Sequence, residues 1–120
     1  MRQEGEATDE RSEVSMSGRV ARTWRGRTRA ADLEAYTAYL EETGVRELRA
    51  TPGNERVLIL RRAEGDEAEF WVISLWRDMA SISAFAGADP TRARYFPDDQ
   101  RYLLEMTPDV VHYEVAVDGA

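Results

Sequence analysis

The chain has 120 residues, 42% of them hydrophobic and 32% charged, with a formal net charge of −7; this describes one ordinary globular domain, long enough to bury its own core. It contains no cysteine, no lysine and a single histidine, His112, which excludes disulfides, thiolate nucleophiles, cysteine-held metals, Schiff bases and any two-histidine metal site within one chain. The acidic balance argues against nucleic acid, no apolar run approaches the ~18 residues of a membrane helix, and the N-terminus lacks a signal-peptide core, so a cytoplasmic protein without nucleic-acid or membrane partners is expected.

Residues 1 to 18, "MRQEGEATDERSEVSMSG", hold five acidic and two basic residues and almost nothing apolar, the composition of a disordered tail; Met16 is an alternative start. The folded domain is expected over residues 19 to 120. "RVARTWRGR" alternates and predicts a strand, with Val20, Arg22 and Trp24 on one face and Ala21, Thr23 and Arg25 on the other. Thr28 is placed to cap a helix in which Leu33, Tyr36, Leu40 and Thr43 recur at helical spacing, with Gly44 just past its end. "RATPGNE" is a loop, "RVLILRR" a second strand, and "EGDE" a hairpin turn into a third strand over residues 68 to 76. That strand is apolar on both faces from Phe70 to Leu75 except at Ser74, which places it inside a sheet. Asp78 caps a short helix whose buried stripe is Met79, Ile82, Phe85 and Ala86, and Gly87 ends it. Pro90 and Pro97 each start a further helical turn. "DVVHYEVAV" is the last strand, with Val111, Tyr113, Val115 and Val117 opposite Val110, His112, Glu114 and Ala116.

The order β-α-β-β-α-β predicts an α+β, ferredoxin-like domain with a four-stranded antiparallel sheet, its first and third strands central. Two helices cover one face of such a sheet. About a dozen large apolar side chains lie on the two central strands, too many for one side, and parity alone leaves open which set meets the helices. The uncovered set predicts a homodimer packed sheet against sheet.

"SLWRDMASISAFAGADPTRARYF", "GVRELRATPGNERVLILRR" and "VVHYEV" resemble, in turn, the strand-to-helix junction, the approach to the second strand and the closing strand of the antibiotic biosynthesis monooxygenase (ABM) family. The resemblance spans residues 19 to 117 and rests on structural motifs more than chemical ones. It implies a dimeric α+β barrel with a pocket between sheet and helices, and oxygen chemistry on a small aromatic or hydrophobic molecule, without metal or flavin. It also implies a role for Trp76, which resembles the pocket tryptophan of the haem-degrading branch. The asparagine and histidine that accompany that tryptophan have no match: the only asparagine, Asn54, is in a loop, and the segment after Gly87 offers Arg92, Arg94 and Tyr95. His112 would have to stand in for the haem ligand.

Oxygenation of a phenol or hydroquinone without a cofactor needs an apolar pocket, a group that favours the phenolate, and exclusion of water. The catalytic candidates are His112 as base and Arg22 as stabiliser of negative charge; Trp24, Trp71, Trp76, Tyr95, Tyr102 and Tyr113 are the candidates for holding a ring. Plain packing accounts for the tryptophans as well, His112 has Glu114 on its own face to pair with, and Arg22 has Glu114 or Glu69 within reach across the strands. Asp98 and Asp99 sit at a helix start, where the helix dipole explains them. The leading expectation is thus cofactor-independent oxidation of an aromatic polyketide or quinol-type substrate; a non-catalytic dimeric barrel that binds a small hydrophobic ligand or partner is the alternative, and a haem-binding or haem-degrading oxygenase the third.

Overall fold

A computed structural model describes residues 18–119; the expected acidic tail, apart from Gly18, and Met16 lie outside the described residues. Four strands form one antiparallel sheet: β1 (Val20–Arg29), β2 (Asn54–Glu64), β3 (Glu67–Trp76) and β4 (Val111–Glu114), in the order β2-β3-β1-β4. The helices are α1 (Leu33–Leu40), α2 (Arg46–Ala50), α3 (Met79–Ala86) and α4 (Asp99–Tyr102). The fold is therefore the expected α+β, ferredoxin-like one, with β1 and β3 at the centre. Among the described residues, no helix is long and apolar enough to cross a membrane.

Register resolves the parity question. Val20, Arg22, Trp24 and Gly26 lie opposite Trp76, Ser74, Val72 and Phe70, and His112 of β4 lies opposite Arg22. This set faces the helices, since Val20, Arg22, Gly26, Phe70, Ser74 and Trp76 are all buried. The other set is Ala21, Thr23, Leu58, Leu60, Trp71, Ile73, Leu75, Val111 and Tyr113, aligned by the same pairings. Among the described residues no helix lies over it, and Leu60, Val111 and Tyr113 are 44%, 51% and 54% exposed.

Two apolar clusters fill the space between sheet and helices. Val20, Leu48, Trp76, Ile82 and Phe85 form one; Tyr36, Leu40, Ala68, Phe70 and Leu103 form the other, and Val72 packs against both. Full burial of side chains this large contributes roughly 1.5–3 kcal/mol each. Tyr36 anchors the second cluster, with Phe70 edge-on at 5.1 Å and Tyr102 at 5.3 Å between ring centroids.

Four local expectations change. Thr28 does not cap the first helix: β1 pairs with β3 as far as Arg29, which leaves Thr28 a fully buried strand residue. Gly44 does not end that helix either. A π-helical turn over Glu41–Val45 joins α1 to α2 with helical dihedrals throughout, and the helix ends at Thr51, which is extended. Gly53, at φ 96°, makes the turn that follows. Pro90 starts no helix, whereas Pro97 leads into α4, and the last strand stops at Glu114 instead of reaching Val117. Asp78 does cap α3, its carboxylate accepting from the Ser81 N–H at 2.9 Å and the Ser81 hydroxyl at 2.7 Å, and Gly87 follows at φ 87°.

Candidate functional site

The seam between the two clusters is incompletely filled. A cavity of about 70 Å³ opens there, between the central strands and the helices. β1 supplies Arg22 and Trp24, β3 supplies Val72 and Ser74, and the π-helical turn supplies Thr43, Gly44 and Val45. Phe85 of α3, Arg94, Tyr95 and Phe96 of the following segment, Asp99 of α4, and Val110 complete the wall with Tyr36, Leu40 and Leu48. By water-sized volume the space holds about five non-hydrogen atoms.

Arg22 is its central polar group. The residue is 5% exposed, and a buried cation needs a partner. None of its partners is a carboxylate. Nη1 donates to the Pro90 carbonyl at 2.5 Å and stands 3.2 Å from His112 Nε2, and Nη2 donates to the Arg92 carbonyl at 3.1 Å. Burial lowers the Arg22 pKa to about 10, which still leaves it cationic at neutral pH. A guanidinium has donors only, so His112 Nε2 accepts and the ring proton resides on Nδ1. Burial first, and the Arg22 charge second, push the His112 pKa down to about 4. The imidazole is thus neutral near pH 7, and it is bonded to Arg22 where the sequence suggested Glu114.

The aromatic wall is fixed by its own polar tips. Trp24 Nε1 donates to the Tyr95 hydroxyl at 3.1 Å, and that hydroxyl donates to the Thr107 carbonyl at 2.6 Å. The Trp24 indole lies across Gly26, where a Cβ would overlap it, so the glycine in mid-strand is a matter of space. Phe85 lies between two guanidiniums, Arg22 at 5.6 Å and Arg94 at 5.3 Å from its centroid. Arg94 also pairs with Glu47 at 2.9 Å and donates to the Phe85 carbonyl at 2.9 Å. Opposite in charge is Asp99, 4% exposed, whose carboxylate accepts from the Tyr36 hydroxyl at 2.7 Å and the Phe96 N–H at 2.6 Å. Burial, then that hydrogen bond, raises the Tyr36 pKa and keeps it a phenol.

Of the residues singled out in the sequence, Arg22, Trp24 and Tyr95 meet at the cavity. His112 stands behind Arg22. Trp76 is fully buried in the first cluster, its Nε1 donating to Ser74 Oγ at 2.9 Å. Tyr102 packs against Tyr36 and Tyr39. Trp71 and Tyr113 point to the opposite face, because they occupy the odd positions of their strands while the cavity is built on even ones; Arg25 covers Trp71 at 4.2 Å. Sequence reasoning missed Asp99, Arg94 and Phe96 as wall residues. The Asp99 carboxylate looked like helix-start chemistry, and its partner Tyr36 is 63 positions away. No group of acidic or histidine side chains suited to a metal ion occurs among the described residues.

Comparison with known proteins places this geometry. The family described as "Antibiotic biosynthesis monooxygenase" matches residues 23–93. No curated protein matches the sequence. Several crystal structures share the fold. A protein assigned as an antibiotic biosynthesis monooxygenase from Caulobacter crescentus is 13% identical, with 91% of this chain and 99% of that one covered and a TM-score of 0.64. One of the same assignment from Bacillus cereus is 12% identical, with 86% and 98% covered and a TM-score of 0.62. A heme-degrading protein from Mycobacterium tuberculosis is 15% identical, with 85% and 99% covered and a TM-score of 0.59. At these identities the likeness establishes the fold and nothing about the chemistry.

Proposed function

The chain belongs to the antibiotic biosynthesis monooxygenase family, and from that premise we propose that it oxygenates a small electron-rich aromatic molecule, quinol-like or polyketide-derived, with molecular oxygen and no cofactor. The observation that carries this reading is Arg22, a buried cation on the cavity wall with no carboxylate partner among the described residues. A cation so placed favours the phenolate or enolate over the neutral ring, and an ionised electron-rich ring passes one electron to oxygen without a metal. The ring radical and superoxide then combine at a ring carbon that bears hydrogen, and with the proton lost on ionisation this gives a hydroperoxide; loss of water, formed from the outer oxygen, that proton and the carbon's hydrogen, leaves a carbonyl that retains the other oxygen atom. The protein's part is to bind, orient and exclude water.

In this reading Arg22 contacts the substrate oxygen, Trp24 and Tyr95 hold the ring, and His112 positions Arg22. With a pKa near 4 and its Nε2 engaged, His112 is poorly suited to the role of base. The enclosed volume is less than one whole ring, so a single-ring substrate would rest partly at the open side of the cavity, and a fused polycycle fits less well still. Haem, which the activity of the mycobacterial neighbour requires, does not suit this lining. No histidine lines the cavity, the Tyr36 and Tyr95 hydroxyls are already bonded, and about 70 Å³ is far below the space a macrocycle needs.

The working unit in this proposal is a homodimer joined through the open sheet face. Leu58, Leu60, Trp71, Ile73, Leu75, Val111 and Tyr113 make that face apolar, and Trp71 Nε1 is buried without a hydrogen-bond partner. Oxygen consumption with a panel of hydroquinones and anthrones tests the activity. Turnover above the protein-free rate is expected, with Arg22→Met lowering kcat about tenfold or more in a folded protein. No turnover with any of them would leave a binding module without catalysis.

A further inference from the structure

We propose that the cavity is a receptor for a small single-ring acid taken up in its ionised form, its oxyanion seated on the unused edge of the Arg22 guanidinium. This deepens the functional reading above and rests on its assignment of the cavity as the ligand site. Of the five guanidinium hydrogens, three are taken: two on Nη1 by Pro90 and His112, one on Nη2 by Arg92. The Nε hydrogen and the second Nη2 hydrogen have no acceptor among the described residues. They belong to neighbouring nitrogens, the arrangement that grips a carboxylate with two parallel hydrogen bonds.

Among the described residues no anion serves that edge. Asp99 on the same wall is committed to Tyr36 and the Phe96 N–H, and Glu47 at the rim is committed to Arg94. His112, neutral, supplies a lone pair and no charge. The buried cation therefore carries most of its desolvation cost until a negative ligand arrives. The rest of the wall sets the ligand's body. Trp24, Phe85 and Val72 present apolar surface, and the enclosed volume takes about five atoms, fewer than the nine of a benzoate, so in this proposal the oxyanion and part of one ring are enclosed and the rest of the ring stands at the open side of the cavity.

The test compares charged ligands with neutral ligands of the same shape on the native protein. Benzoate is measured against benzamide, and 4-nitrophenolate against 4-nitroaniline, by ligand-observed NMR and by quenching of tryptophan fluorescence. Each anion is expected to bind about tenfold or more tightly than its neutral counterpart. Benzoate ahead of 4-nitrophenolate indicates a carboxylate held by two oxygens; the reverse order indicates a phenolate or enolate. Arg22→Met should erase the preference for charge, and Arg22→Lys should restore part of it, with the circular dichroism spectrum unchanged. Benzamide binding as well as benzoate, or no binding of either anion, overturns the proposal. Should Arg22→Met fail to fold, the comparison on the native protein still decides. Benzoate binding without any oxygen consumption would refute only the oxygenase reading, whereas oxygen turnover on neutral rings with no preference for anions would refute only this one.

Discussion

Replacing His112 with glutamine isolates a titration that ties the sheet to the candidate site. In the folded chain the His112 pKa lies near 4, against an ordinary 6.5, because burial disfavours the imidazolium and the Arg22 cation 3.2 Å away repels it. The folded value is the lower one. Between pH 6.5 and about 4 the unfolded chain therefore binds a proton that the folded chain refuses, and stability falls as pH falls through that window. Above pH 6.5 the contribution is fully present; below about pH 4 nothing further is lost. The 2.5-unit gap at ~1.36 kcal/mol per unit sets a ceiling of about 3.4 kcal/mol. The ring is only half-buried, and solvent screening reduces this to roughly 1–2 kcal/mol. Glutamine keeps an acceptor for Arg22 and does not titrate. Urea unfolding of both proteins at intervals from pH 7 to pH 4 is the assay, with the native midpoint expected to fall relative to the variant by roughly 0.3–2 M at ordinary denaturant slopes. Parallel curves for the two proteins would show that His112 is not held neutral against Arg22, and the account of the Arg22 partners would fail with it.

Gly26→Ala should destabilise the fold by about 1–3 kcal/mol, because its methyl would overlap the Trp24 indole and press Leu103 at 3.1 Å; it should also weaken benzoate binding, since Trp24 walls the cavity. A variant that unfolds and binds like the native chain would mean the indole is free to swing away. On the open face, Leu60→Glu places a charge opposite Trp71 and is expected to convert a dimer to a monomer in sedimentation equilibrium without altering the circular dichroism spectrum. A native chain that is monomeric at micromolar concentration would remove the dimer from the proposal.

Much of the scaffold was legible because its signals are local. Alternation marked the first and last strands, a run apolar on both faces the third, Gly65 the hairpin, and Asp78 the start of α3, each a matter of residues a few positions apart. The order of those elements then fixed which strands are central. What failed locally did so for reasons beyond the segment. Thr28 is a good cap by residue type, but strand pairing with β3 holds it in the sheet, and Gly44 sits well as a helix terminator until packing carries the helix on through a π-helical turn.

Composition and period established the elements and left the site undecided. Trp71 and Trp76 are five positions apart on one strand, so the sequence requires them to face opposite ways; only the helices packed over β3 decide which is buried in the core and which lies on the open face, half-buried under Arg25. The same placement sets Arg22 beside His112, 90 positions on, and Asp99 beside Tyr36. A buried cation with no carboxylate partner among the described residues and a cavity at the seam of two clusters are properties of that packing. They depend on distances between residues remote along the chain, which periodicity does not encode.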